Sequence, residues 1–339
     1  MERIIKYLIY RFFLSIIVLV GLSFLIFVIT FIMPGDPART ALGGQAPEWV
    51  IEELREEMHL DDPLPMQYYY WIKNALKLDF GKSLITKRAV ITDIKEYLPA
   101  SIELAVYAGF FALVIGTILG SLSGWFSNTW IDNTVRIISY AGVVTPSFVW
   151  AIFFILLFGL NLRILPVTGR ISSYLNYSKP ITGLLTFDAL ITGNFELYLD
   201  GLKHIILPSI ALTMMPLAGQ ARLTRTSVND NLKKDFICSV KSYGIPENLI
   251  MFKYLLKPSL ITPLSVFGPS VAAIIANAFL IESIFNWPGL SRYGMNAIMQ
   301  KDINAISAVV ITYGTFYVIA NILIDIIVGY LDPRIISSS

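Results

Sequence analysis

Cysteine is all but missing from this sequence of 339 residues: Cys238 is the one thiol. That excludes an internal disulfide framework and every multi-thiolate zinc or iron–sulfur site. Histidine is nearly as scarce, and His59 and His204 stand far apart in no metal-binding spacing. Charge is thin as well. Asp, Glu, Lys and Arg make up 15% of the chain against 55% hydrophobic residues, with a mean hydropathy of +0.65. Such a chain has too few charges to clothe a water-facing surface and too much apolar content for disorder. The net charge of +2 provides no broad basic field, which argues against a nucleic-acid partner. Nucleotide chemistry is missing too. Gly81-Lys82-Ser83 spells the tail of a phosphate-binding loop, but Leu76 stands where the first glycine belongs, and Asp79-Phe80-Gly81 has none of the companions of the kinase triplet. There is no His-Glu-x-x-His pair and no Ser or Cys in a nucleophile setting. The chain reads as no enzyme, with no catalytic residue, metal or cofactor of its own.

What is present is a series of long charge-free runs. A helix needs roughly 20 apolar residues to cross a bilayer core of about 30 Å. Residues 12–33, 104–131, 137–162, 205–221, 258–281 and 303–324 each run from charge to charge without interruption. These predict an all-α polytopic membrane protein with six transmembrane helices. The first run is too long for a signal-peptide core and is expected to stay as an anchor. With the N-terminus inside, the cytoplasmic flanks hold 12 Lys and Arg and the short outer loops six, while the outer segment 34–96 holds eight more but is net negative and at the length where the rule stops counting. The basic bias therefore favours cytoplasmic N- and C-termini in a cell membrane. The chain divides into an N-terminal segment with helix one (1–33), an outer loop domain (34–96), a permease-like core of five helices (97–334) and a tail (335–339). Within the loop domain, Ile51, Leu54 and Met58 share a helical face behind Pro47. Tyr68-Tyr69-Tyr70-Trp71 suits an interfacial belt, a small core or a docking face.

Inside the runs, Ala112, Gly116, Gly120 and Gly124 recur every fourth position, a stripe that lets a neighbouring helix approach closely in lipid. Polar residues are few. Asn277 and Asp325 are the deepest, candidates for a pathway or for contacts within the bundle, with Glu103 and Glu282 nearer the outer ends. Pro146 and Pro216 lie mid-run and predict kinks. Segment 227–257 differs in kind: it reads as a hairpin of two short helices around Gly244-Ile245-Pro246. Gly244 suits a helix C-cap and Pro246 the first turn of the next helix. Ile245, Leu249 and Ile250 fall on one apolar edge. The hairpin is either a connector or a knob for a partner's groove.

At this hairpin the sequence resembles the inner-membrane permeases of binding-protein-dependent ABC transporters, in their dipeptide/oligopeptide branch. Their loop carries a Glu-Ala-Ala-x-x-x-Gly pattern; here Cys238, Ser239 and Val240 occupy its first three positions, and only the glycine, Gly244, is kept. Other stretches carry the likeness along nearly the whole chain. They include Met33-Pro34-Gly35-Asp36-Pro37-Ala38 after the first helix, residues 59–81 with Asp61-Asp62-Pro63 and Gln67-Tyr68, and Leu98-Pro99-Ala100-Ser101-Ile102-Glu103-Leu104 before the second. His204-Ile205-Ile206-Leu207-Pro208 and Ala221-Arg222-Leu223-Thr224-Arg225 bracket the fourth helix. Glu282-Ser283-Ile284-Phe285-Asn286-Trp287-Pro288-Gly289-Leu290 and Leu331-Asp332-Pro333-Arg334 complete it.

The resemblance implies a permease subunit of an ATP-driven importer of dipeptides or oligopeptides. Its implied partners are a second homologous permease, two cytoplasmic ATP-binding subunits that hold ATP and magnesium, and an extracytoplasmic peptide-binding protein. It also implies an ATPase-coupling role for the hairpin residues Asp235, Lys241, Ser242, Tyr243, Gly244, Ile245, Pro246, Glu247, Leu249 and Ile250. The same architecture also serves nickel and other small solutes. An ion-coupled secondary transporter is the competing class, and the sparse intramembrane carboxylates count against it.

Overall fold

A computed structural model describes residues 2–32, 38–39, 47–57, 59–177 and 180–331. The tail 335–339 and two of the quoted resemblance motifs, at 33–37 and 332–334, lie outside these residues. Fourteen helices are described: α1 (Glu2–Ile32), α2 (Glu48–Glu57), α3 (Leu64–Leu76), α4 (Val90–Trp125), α5 (Trp130–Val144), α6 (Ser147–Phe154), α7 (Leu185–Ile191), α8 (Phe195–Leu232), α9 (Asp235–Ser242), α10 (Glu247–Leu249), α11 (Leu256–Ser265), α12 (Phe267–Ile284), α13 (Leu290–Met299) and α14 (Ile303–Leu331). π-helical turns extend α6 through Ile155–Asn161 and α10 through Ile250–Leu255. The described residues are thus all-α, apart from an isolated antiparallel bridge between Lys82 and Ala89.

Four of these helices are long and apolar enough to cross a membrane unaided: α1 over Tyr10–Ile29, α4, α8, and α14 over Ile303–Ile324. A fifth crossing arises if α5 and the extended α6 count as one span bent by 110°. Pro146 is the cause. It supplies no N–H to the helix and drives the preceding residue out of helical geometry, and Thr145 is accordingly extended at φ −89° and ψ 122°. The kink expected in residues 137–162 is therefore a complete break. The run 258–281 is also divided, at Val266 between α11 and α12. Pro216 has the milder effect, since α8 continues through both Pro208 and Pro216.

The chain forms two compact units. The larger contains Pro99–Pro288 and the far end of α14 from Ile319. Its axis is α8, whose 38 residues extend about 57 Å and pack against α5, α6, α7, α11 and α12. Its main core gathers Leu104, Ile205, Leu207, Ile274, Ile281, Phe285 and Trp287, all essentially inaccessible. The indole of Trp287 donates to the Ala100 carbonyl at 3.0 Å.

The smaller unit contains Ile9–Leu98 and Gly289–Val318, so the described part of segment 34–96 clusters with α1, α13 and the first half of α14. Two members of the aromatic cluster pack against α1: Tyr68 lies edge-on to Phe24 and Phe27, stacks with Trp71, and its hydroxyl lies 2.7 Å from Ser23 Oγ, whereas Tyr69 stays exposed. Ile51 of α2 is buried as the helical face requires, whereas the side chains of Leu54 and Met58 lie outside the described residues. Gly81-Lys82-Ser83 is an ordinary turn, with Gly81 at φ +77° and Ser83 Oγ donating to Asp302 at 2.6 Å.

Candidate functional site

The hairpin is built by local chemistry. Lys234 is extended at φ −78° and ψ 147° and starts α9, whose first turn holds Asp235 and whose last turn holds Lys241. Each charge sits at the helix end its dipole favours. Gly244 then adopts φ +70°, a left-handed conformation that glycine reaches without strain, and its N–H donates to the Lys241 carbonyl at 3.0 Å. Pro246 at φ −58° and ψ 140° precedes α10, one residue earlier than the first helical turn, and the Ile250 N–H donates to its carbonyl at 3.1 Å.

Tertiary packing divides the apolar edge read from the sequence. Ile250 is not open to a partner. It is buried with Ile237, Leu255 and Val228, and Trp125, Leu232, Val240, Ile245 and Tyr254 close over them. Burying side chains of this size contributes about 1.5–3 kcal/mol each, so both arms of the hairpin are fastened to the ends of α4 and α8. The outward side is formed by Phe236, Tyr243, Leu249 and Phe252, of which Tyr243 is 84% exposed. The polar Asp235, Lys241, Ser242 and Glu247 accompany them, also exposed. Phe236 and Phe252 were not singled out in the sequence. Their helical offset from Ile237 and Ile250 becomes informative only once those two are known to face inward.

Beneath the hairpin an ion pair between a buried carboxylate and a partly exposed arginine joins three helices. Asp132 at the start of α5 is fully buried and accepts from Arg225 Nε at 2.6 Å and Nη2 at 2.8 Å, both from α8. Ser123 Oγ of α4 donates at 2.6 Å and the Asn128 N–H at 3.0 Å. Asn231 ties α8 to α11 through Ser259 Oγ at 3.0 Å. An open cleft of about 380 Å³ with a mixed lining lies between the same two helices, where Ser227, Asp230, Lys234 and Thr262 meet Leu223 and Ile261.

The glycine stripe of α4 faces α8. A Cβ added at Gly116 would stand 2.8 Å from Gln220 Cβ, one at Gly120 2.5 Å from the Ala221 carbonyl oxygen, and one at Gly124 2.7 Å from Val228 Cβ. The main chains of α4 and α8 are thus in close contact along the stripe. Asn277 is half-buried on α12. Asp325 lies on α14 with its side chain outside the described residues.

The far end of the same unit is pinned by other carboxylates. Glu103 is buried, receives Arg170 in an ion pair, and accepts from Thr186 N and Oγ1 at 2.7 Å each. Glu282 accepts from Ser101 Oγ. Asp188 accepts from Tyr177 Oη and Thr182 Oγ1, both at 2.6 Å, and from the backbone of residues 181–183. Burial raises the Asp188 pKa, but the hydrogen bonds from Thr182 and Tyr177 outweigh it and bring the group down to about 2.

Residues 116–337 match the family described as "Binding-protein-dependent transport system inner membrane component", and residues 4–105 match the N-terminal part of the membrane component of such systems. The dipeptide transport system permease protein DppB of Alkalihalophilus pseudofirmus is 37% identical over 98% of this chain and 99% of its own length. The probable D,D-dipeptide transport system permease protein DdpB of Escherichia coli is 34% identical over 94% of each. The di/tripeptide transport system permease protein DppB of Pseudomonas aeruginosa is 32% identical over 93% of this chain and 94% of its own. The helices apolar enough to span a bilayer, the hairpin at the end of α8 and these matches along the whole length agree: the chain belongs to the family of inner-membrane components of binding-protein-dependent transport systems.

Proposed function

We propose that this chain is a permease subunit of an ATP-driven importer of dipeptides or oligopeptides, forming the translocation pathway with a second permease. The observation that carries this reading is the near full-length likeness to permeases named for dipeptide transport. Two cytoplasmic ATP-binding subunits hold ATP and magnesium, and one of them docks on the hairpin through the exposed side of α9 and α10. A binding protein delivers the peptide from outside. Closure of the ATP-binding subunits displaces the hairpin. The buried Ile237 and Ile250 carry that displacement to α4 and α8, and the Asp132–Arg225 pair carries it to α5, as one packed body shifting against another.

In this reading the chain crosses the cell membrane six times, with both termini in the cytoplasm. The crossings are α1, α4, α5 with α6, α8, α11 with α12, and α14. The 12-to-six distribution of Lys and Arg and the charge-free run 258–281 support it.

The test is reconstitution of the chain with its second permease, ATP-binding subunits and binding protein in vesicles. Uptake of a labelled dipeptide should require ATP, and ATP hydrolysis should rise with the liganded binding protein. Uptake driven by an ion gradient without ATP would mean a secondary transporter. ATP-dependent uptake of nickel in place of peptide would keep the architecture and overturn the solute.

A further inference from the structure

We propose that α7 and the first turn of α8 lie in the membrane–water interface, their apolar face seated in the headgroup–acyl boundary at the end of the unit away from the hairpin. The two faces of α7 are sharply unequal. Leu185, Thr186, Asp188 and Ala189 are buried, while Phe187, Leu190 and Ile191 are exposed; Phe195 and Leu199, at the start of α8, continue the exposed apolar surface. The charge on α7 is turned inward, where Asp188 is held by Tyr177, Thr182 and the backbone of residues 181–183. Five large apolar side chains thus stay about half or more exposed among the described residues.

Their depth is set by hydrogen bonds. Thr186 donates through its backbone N–H and its hydroxyl to Glu103, and the Tyr107 hydroxyl donates to Thr186 Oγ1 at 3.2 Å. Glu103 is the last charge on α4 before the charge-free run that begins at Leu104, and Val106 and Phe110 in that run are exposed apolar residues of a membrane-spanning helix. Helix α7 is therefore fixed at the level where α4 passes from polar to apolar surroundings. Continuity with the exposed apolar side of α4, a helix long and apolar enough to span, favours the bilayer over a protein as occupant. A short amphipathic helix at this level buries its apolar face about 5–10 Å into the boundary region. The same contact stops α8 from sliding along its axis when the hairpin at its other end is pushed.

The measurement uses the assembled transporter in vesicles, with Cys238→Ser removing the native thiol and a fluorophore attached at Phe187→Cys, Ile191→Cys or, as a control, Tyr174→Cys. Leu199→Cys reads the same face from α8, so the result does not hang on one variant. A nitroxide near the lipid headgroup should quench the three face positions at least about twofold more than one near the chain end, as the shallow burial requires. Aqueous iodide should quench the Tyr174 position preferentially. The proposal is overturned if iodide reaches the face positions as readily as Tyr174 while neither lipid quencher does. It is also overturned if the chain-end nitroxide is the stronger quencher. Shielding from lipid and iodide that appears only with the binding protein or the second permease would make the face a protein-docking surface instead.

Discussion

Gly244 is the residue where conformation and space can be separated. A Cβ there would meet nothing within 4 Å, yet φ is +70°, so substitution is opposed by the backbone alone, at about 1–2 kcal/mol for a residue with a Cβ. Gly244→Val should weaken co-purification of the ATP-binding subunits or lower transport per ATP hydrolysed, and Gly244→Asn should do so less, because asparagine tolerates the left-handed region. If the valine variant keeps both at their normal values, the segment is only a connector. Asp132 poses the opposite problem, a charge without access to water. Arg225→Met leaves its carboxylate buried and uncompensated, which typically costs about 3–5 kcal/mol. Heating the purified permease in detergent should show a large loss of stability for that variant, with much of it restored by adding Asp132→Leu. Asp188 carries a pH signature. Its pKa falls from 3.8 to about 2 on folding, so its contribution is fully present above pH 4 and is lost as pH falls through 2. In a melting series across that window, Asp188→Asn should flatten the acid-side decline.

At the scale of elements, the seam between α4 and α8 determines what the larger unit tolerates. Helices in lipid associate through close packing rather than hydrophobic burial, and the 2.5 Å between a Gly120 Cβ and the Ala221 carbonyl oxygen leaves no room for a methyl group. Gly120→Leu should push α4 off α8, and overpacking of this kind costs about 1–3 kcal/mol. Reduced membrane assembly and lost transport are expected. Gly219 is the control: it lies on α8 with nothing within 4 Å of a Cβ, and Gly219→Ala should leave the melting temperature unchanged or raise it. Equal effects of the two would mean that the stripe faces only lipid. Spacing alone was enough to mark Gly116, Gly120 and Gly124. It could not say which helix they meet, nor that Gln220, Thr224 and Val228 fill the opposite side.

For the whole molecule, the topology proposed from charge is open to labelling. An impermeant maleimide added to intact cells should reach Glu56→Cys in the Cys238→Ser background, while Cys238 of the unaltered chain, exposed on α9, should react only in inverted vesicles. The opposite pattern would place the N-terminus outside. The grouping into compact units was less legible. Charge-free runs separate residues 34–96 from the helices on either side, whereas the described part of that segment joins α1, α13 and part of α14 through Tyr68, Ser83 and Asp93. Those bonds bridge between 45 and 219 positions of sequence, a separation that no local pattern reports.

By itself the sequence determined whatever depends on one stretch of chain. An apolar run long enough to cross lipid, a proline that bends the run 137–162 and a glycine that turns the hairpin need no partner to be recognised. Quoted motifs spread along nearly the whole chain were enough for the family resemblance. Only the tertiary structure decided which surfaces are spent on internal contacts. Ile250 looks like part of an exposed edge until Val228 and Trp125 are seen to cover it. Asp132 and Asp188 carry no local mark of burial, and Glu103 reads only as a polar residue near an outer helix end, until Arg225, Tyr177 and Arg170 are brought to them. The reason is physical: burial and pairing are properties of two chain segments at once. Arg225 and Asp132 lie 93 positions apart, so their contact exists only after α5 has been laid against α8.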